Sequence, residues 1–203
     1  MQSDWSVDTK SQTLMNAMLL RTSSSGTEQQ VSIIGKLIVL LLGVAVLSLS
    51  AHFKVPFYPV PMTLQTLVVL LIGMSYGLHL GGATILSYLL LGAFGAPVFS
   101  GGVGFVYLVG PTGGYLVGFF VAAAVLGFLT ERGMGQNWVT SAVLAVIGTV
   151  IIYALGLSWL TSIIGFEKAV QFGLMPFVFG DCLKMVIVTL SIPLAWKLLE
   201  RLR

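Results

Sequence analysis

The chain has 203 residues, of which 57% are hydrophobic and 8% charged, with a formal net charge of +3. A soluble domain carries roughly 25% charged residues, so the composition excludes a water-soluble globular protein and predicts an integral membrane protein with room for six or seven spans of about 20 residues. The basic residues are scattered, which argues against nucleic-acid binding; the single cysteine, Cys182, excludes an internal disulfide and a cysteine-based zinc site; and no phosphate-cradling G-x-x-x-x-G-K-[S/T] pattern occurs.

Residues 1–30 are rich in Ser, Thr and Gln and are predicted to form a cytoplasmic N-terminal tail. A short amphipathic helix is expected over 14–20. That apolar patch is too short for a signal-peptide core and lacks a small-x-small cleavage site. The membrane domain is expected over 31–203. Its long apolar runs lack period-2 alternation, which points to helices and away from an outer-membrane barrel.

The first span is predicted over 32–53. Its small residues Gly43, Ala45, Ser48 and Ala51 recur at helical spacing. They form a candidate partner-docking face, with packing inside the chain as the even alternative. Pro56, Pro59 and Pro61 preclude a regular helix in the loop that follows. A second span runs to about residue 76, a tight turn occupies 77–82, and a third span covers 83–94. Residues 95–114 are uncharged and rich in Gly and aromatics, suited to non-helical backbone folded over a cavity. Spans are predicted from 111 or 112 to 129, over 139–160 and over 177–199, with a third connecting segment at 161–175. The total is six.

Placement of Lys and Arg sets the orientation. With both termini cytoplasmic, Lys10, Arg21, Lys36, Arg132, Lys197, Arg201 and Arg203 lie inside, and Lys54 and Lys168 lie outside. The three unusual connections then gather at the outer face.

Asp181 and Lys184 stand three residues apart at the start of the last span. That spacing puts both on nearly one helix face. Ionisable groups at membrane depth are costly and mark functional sites by default; a purely structural ion pair is the bland alternative. Thr63 is placed to cap the second span, and Gln65 presents an amide one turn in. Around Thr112, Gly113 and Tyr115, a helix start offers free N–H groups and close backbone approach, or merely a packed helix end. Tyr88, Phe99, Phe105, Tyr107 and Phe177 are candidate apolar walls. Residues 73–77 match G-x-S-x-G, but they end an apolar helix with no acid placed to orient His79, so hydrolase chemistry is not expected.

Five motifs in order, Val60-Pro-Met-Thr-Leu-Gln65, Tyr88-Leu-Leu-Leu-Gly92, Gly95-Ala-Pro-Val-Phe-Ser100, Gly110-Pro-Thr-Gly-Gly-Tyr115 and Pro176-Phe-Val-Phe-Gly-Asp181-Cys-Leu-Lys184, make residues 33–200 resemble the biotin-specific substrate-binding subunits (S components) of energy-coupling-factor transporters. The resemblance implies an all-α, six-helix, multi-pass protein of the cell membrane, with both termini cytoplasmic. It implies no enzymatic activity and no cofactor, biotin being the transported ligand. Capture would take place on the extracytoplasmic side, under the irregular loops between spans 1 and 2 and between spans 3 and 4. The implied partners are a transmembrane coupling subunit and two ATP-binding subunits. The implied substrate-binding residues are Asp181, Lys184, Thr63, Gln65, Tyr88, Phe99, Thr112, Gly113 and Tyr115. Asp181 suits the ureido N–H groups. Lys184 suits the ureido oxygen or the carboxylate. Two alternatives stand beside this expectation: a self-contained secondary transporter using Asp181 as a proton site, and a capture subunit for another vitamin.

Overall fold

A computed structural model describes residues 13–15 and 33–201. In chain order its elements are α1 (Ile33–His52), β1 (Lys54–Val55), β2 (Met62–Thr63), α2 (Gln65–Ala93), α3 (Phe105–Leu108), α4 (Gly113–Thr130), α5 (Trp138–Ile164), α6 (Phe166–Gly173) and α7 (Val178–Arg201). Among the described residues, five helices (α1, α2, α4, α5 and α7) are long and apolar enough to cross a membrane.

Helix α2 is a hairpin rather than a rod. Gly77 has φ 82° and ψ 178°, a conformation essentially confined to glycine, and the chain reverses there. The Gln65 amide at one end of α2 donates to the Tyr88 hydroxyl near the other at 2.6 Å. Over 23 residues, a straight helix would separate them by roughly 35 Å. The turn expected over 77–82 is thus compressed into one residue. The N–H of Leu78 at the reversal donates to Glu131 Oε1 at 2.9 Å, so a carboxylate satisfies an orphan donor at the start of the second arm.

Helix α4 runs through the middle, between α2 and α5. Close approach is set by missing side chains. A Cβ at Gly127 would fall 2.4 Å from the Gly77 carbonyl carbon, and one at Gly118 would fall 3.0 Å from Ile152 Cα. Without a hydrophobic drive between helices in lipid, this backbone-to-backbone packing holds the bundle. Leu47, Val69, Ile85, Ala122, Ala123, Leu144 and Leu160 are fully buried along it. Helix α5 opens on an Asn137 cap, whose side-chain oxygen accepts from Thr140 N–H at 2.9 Å.

Of the two readings of the small face of α1, docking a partner or packing inside the chain, the structure shows packing at two of the four positions. Gly43 and Ala51 are buried, and a Cβ at Gly43 would meet Thr84 Cγ2 at 2.7 Å. Ser48 is half-buried with its hydroxyl bonded to Val44 O at 2.8 Å; Ala45 alone of the four is exposed. Small residues were needed here to seat α1 against α2. The outward side of α1 carries large aliphatics instead, among them Leu41, Leu42, Val46 and Leu49. The connecting segment expected over 161–175 is largely helical: α5 continues to Ile164, and α6 follows after Gly165 (φ 84°). Within the predicted tail, Thr13 and Leu14 are buried, and Leu14 joins the inner core with Leu70, Met74 and Leu126. The rest of that tail, including most of the expected amphipathic helix, lies outside the described residues.

Gly77→Ala places a side chain in a glycine-only conformation and against Glu131 (2.6 Å from the added Cβ). It is expected to destabilise the protein by about 1–3 kcal/mol, lowering the apparent melting midpoint in detergent by several degrees. Gly82→Ala, whose nearest neighbour is Phe120 at 3.8 Å, should leave the midpoint unchanged. Equal midpoints for the two variants would contradict the hairpin geometry.

Candidate functional site

The loop after α1 carries three prolines and closes as a short antiparallel ladder, with Lys54 opposite Thr63 and Val55 opposite Met62. The ladder aims the Thr63 carbonyl inward. Thr63 Oγ1 accepts from Gln65 N–H and also lies 3.2 Å from Gln65 Oε1, to which it donates. Helix α2 then begins, and Thr66 falls on its inner side. Helix α7 enters from the opposite side, with Asp181 in its first turn and Lys184 one turn on.

These meet in one network. Asp181 is 5% exposed and Lys184 6%, so neither relies on bulk water. Lys184 Nζ donates to Asp181 Oδ1 at 2.7 Å, to the Thr63 carbonyl at 2.7 Å and to Thr66 Oγ1 at 3.0 Å. An ammonium has three N–H groups, and these three acceptors occupy them. Thr66 passes its own proton to Asp181 Oδ1 at 3.2 Å. The Tyr153 hydroxyl from α5 donates to Asp181 Oδ2. A carboxylate offers about four acceptor sites; Asp181 therefore retains acceptor capacity, whereas Lys184 must exchange a partner to receive anything new.

Above the network is a cavity of about 50 Å³. That is far below the roughly 300–1,000 Å³ of small-molecule pockets, so the mouth is drawn in over the charged pair. Its walls come from loop 1 (Val60, Pro61, Met62), loop 2 (Ser100, Tyr107), α4 (Tyr115, Leu116, Phe119), α5 (Ile152, Tyr153) and Phe177. The arrangement suits a neutral polar head that presents N–H donors to Asp181, with an apolar body against Phe119, Ile152 and Phe177.

Of the residues singled out in the sequence, Asp181, Lys184, Thr63, Gln65, Thr112 and Tyr115 line this cavity. Tyr88 and Phe99 lie behind it. The Tyr88 hydroxyl accepts from Gln65 and donates to Val98 O at 3.1 Å, and Phe99 packs edge-on to Tyr88 and stacks on Tyr107. Gly113 is on the far side of α4: its N–H donates to Gly110 O at 3.0 Å, and a Cβ there would collide with the Leu108 carbonyl. Its glycine serves helix packing rather than close approach to a ligand. Tyr115 also ties α4 to α6, donating to Gly173 O at 2.8 Å. Sequence reasoning missed Thr66 and Tyr153. The available signal was a hydroxyl within an otherwise apolar span, a weaker one than the charge that selects Asp181.

Comparison with known proteins follows from this geometry. A model described as the BioY family matches residues 19–201. The biotin transporter BioY of Thermotoga maritima is 40% identical over 158 residues, spanning 77% of this chain and 92% of that protein. The biotin transporter BioY of Rhizobium etli is 38% identical over 157 residues, spanning 72% of this chain and 83% of its own. Among solved structures, the S-component for biotin from an ECF-type ABC transporter superimposes with a TM-score of 0.74 at 23% identity, covering 84% of this chain and 95% of the other. At that identity the likeness is one of fold.

Removing one partner of a buried ion pair strands the other charge at a cost of about 3–5 kcal/mol, whereas replacing both by apolar residues is often neutral. Lys184→Met is thus expected to lower chemical-denaturation stability by about that amount, and adding Asp181→Leu should recover most of the loss. A double variant as unstable as the sum of the single ones would mean that the pair does not act as a unit.

Proposed function

The chain belongs to the BioY family, and from that membership we propose that it captures biotin as the substrate-binding subunit of an energy-coupling-factor type ABC importer. It is a multi-pass membrane transporter component, not an enzyme. The observation that carries the reading is the buried Asp181–Lys184 network, joined by Thr66 and Tyr153 and roofed by two irregular loops.

Biotin has a rigid ureido ring with two N–H donors and one carbonyl, an apolar thiophane and chain, and a carboxylate. Asp181, with about one acceptor site left over, receives a ureido N–H group, and the second takes the place of Thr66 or Tyr153. Lys184 turns from Thr63 or Thr66 toward the ureido oxygen. Phe119, Ile152 and Phe177 cover the thiophane, and the chain runs toward Thr112 and Tyr115. Gln65, on the cavity wall, donates to Tyr88, and Tyr88 and Phe99 act from behind by holding loop 2 against α2. A ligand lacking the ureido group leaves buried polar atoms unpaired, which is the strongest available basis for rejection.

The membrane arrangement belongs to the same proposal. Counting the arms of α2 separately gives six spans, with both termini cytoplasmic. The Lys and Arg bias supports this orientation, since Arg132, Lys197 and Arg201 stand at the end opposite Lys54 and Lys168. A transmembrane coupling subunit and two ATP-binding subunits drive release inward. With its small residues turned inward, α1 would meet the coupling subunit or lipid through its large aliphatic side.

Purified wild-type chain is expected to retain radiolabelled biotin. Asp181→Asn and Lys184→Met should each weaken retention by about a hundredfold or more, the usual consequence of losing one member of a buried hydrogen-bonded charge pair. Undiminished binding in both variants would overturn the site assignment. Uptake that persists without any ATPase partner and collapses with an uncoupler would favour a proton-driven carrier instead.

A further inference from the structure

Loop 1 is fastened to loop 2 at a point outside the charged network. Lys54, on β1, sends its ammonium across to the backbone carbonyl of Ser100. The receiving strip is rigid. Val98 O accepts from the Tyr88 hydroxyl, Phe99 is held between Tyr88 and Tyr107 at centroid distances of 5.4 and 5.0 Å, and Ser100 Oγ lies 2.9 Å from the Tyr107 hydroxyl. Lys54 is exposed, so water competes for its bond and the bond opens readily.

The register of the ladder couples this bond to the site. Lys54 pairs directly with Thr63, and the Thr63 carbonyl is one of the three acceptors of Lys184. Two ammonium groups thereby hold the same ladder pair, one from outside and one from beneath. Loop 1 cannot lift unless both let go. The cavity of about 50 Å³ is too small for a bicyclic ligand with loop 1 in this position, so lifting of loop 1 is the movement that would admit one.

We propose that Lys54 is a positioning residue: a latch that ties loop 1 to loop 2 across the mouth and governs how slowly captured ligand escapes. It touches no ligand. Its release leaves Lys184 as the remaining hold on the ladder; once that bond opens too, the Thr63 carbonyl withdraws and one Lys184 N–H becomes available to an incoming acceptor. The proposal rests on the biotin-capture reading above and adds a gate to it.

The test loads the full-length purified chain with radiolabelled biotin and follows release after a chase with excess unlabelled biotin. Lys54→Met is expected to raise the dissociation rate about fivefold or more while leaving the association rate unchanged or faster, since interface changes act mainly on dissociation. Lys54→Arg keeps the donor and should restore slow release. A Lys54→Met dissociation rate within about twofold of wild type overturns the latch, as does a Lys54→Arg variant that releases as fast as Lys54→Met. A wild-type chain that retains no biotin overturns the capture reading itself; retention with unaltered release in Lys54→Met overturns only the latch.

Discussion

Two opposite charges placed away from water constrain everything around them. Asp181 and Lys184 neutralise each other, but neither has its hydrogen-bonding capacity met by the other alone, and each unmet group would cost free energy on the order of a kcal/mol or more. The remaining partners come from separate parts of the chain: the Thr63 carbonyl from the loop-1 ladder, the Thr66 hydroxyl from α2 and the Tyr153 hydroxyl from α5. The pair therefore works as a junction at which three helices and a loop must arrive together. Thr66 holds the central place, since it accepts from the ammonium and donates to the carboxylate. That fixes the direction of its proton and gives the network a single polarity.

The bundle that delivers those partners is assembled by omission of side chains. Gly127 lets α4 touch the α2 reversal, and Gly118 lets it touch α5. Glu131 closes the start of the second α2 arm. The charged network at Thr66 and this carboxylate-to-backbone contact at Leu78 hold the two ends of the first α2 arm.

Much of this was readable in the sequence, and the limits were physical. The class followed from charge depletion alone. Asp181 and Lys184 stood out because ions are conspicuous in apolar runs. Thr66 and Tyr153 did not, because a hydroxyl near a helix start reads as a cap and a tyrosine between Ile152 and Ala154 reads as core; only the tertiary arrangement shows what their hydroxyls meet. Spacing leaves Gly113 and the small residues of α1 equally open to a ligand or partner and to packing within the chain. Small residues permit close approach by anything, and spacing does not say by what; here the answer was Leu108 for Gly113, and α2 for Gly43. The α2 hairpin was seen as two spans, but its turn was placed too generously, since one glycine at positive φ does what six residues were assigned to do. The α6 helix was missed because its charged residues and short length resemble a loop.

The hairpin also bears on how the protein is made. At about 1.5 Å per residue, its arms at 65–76 and 78–93 reach roughly 18 and 24 Å, short of the ~30 Å hydrocarbon core. Neither arm is a good insertion signal by itself. The two must enter the bilayer as a single unit, and the unit lacks its Glu131 cap until α4 has been synthesised. The hairpin that supplies Thr66 to the site is thus completed only by a contact from a later part of the chain.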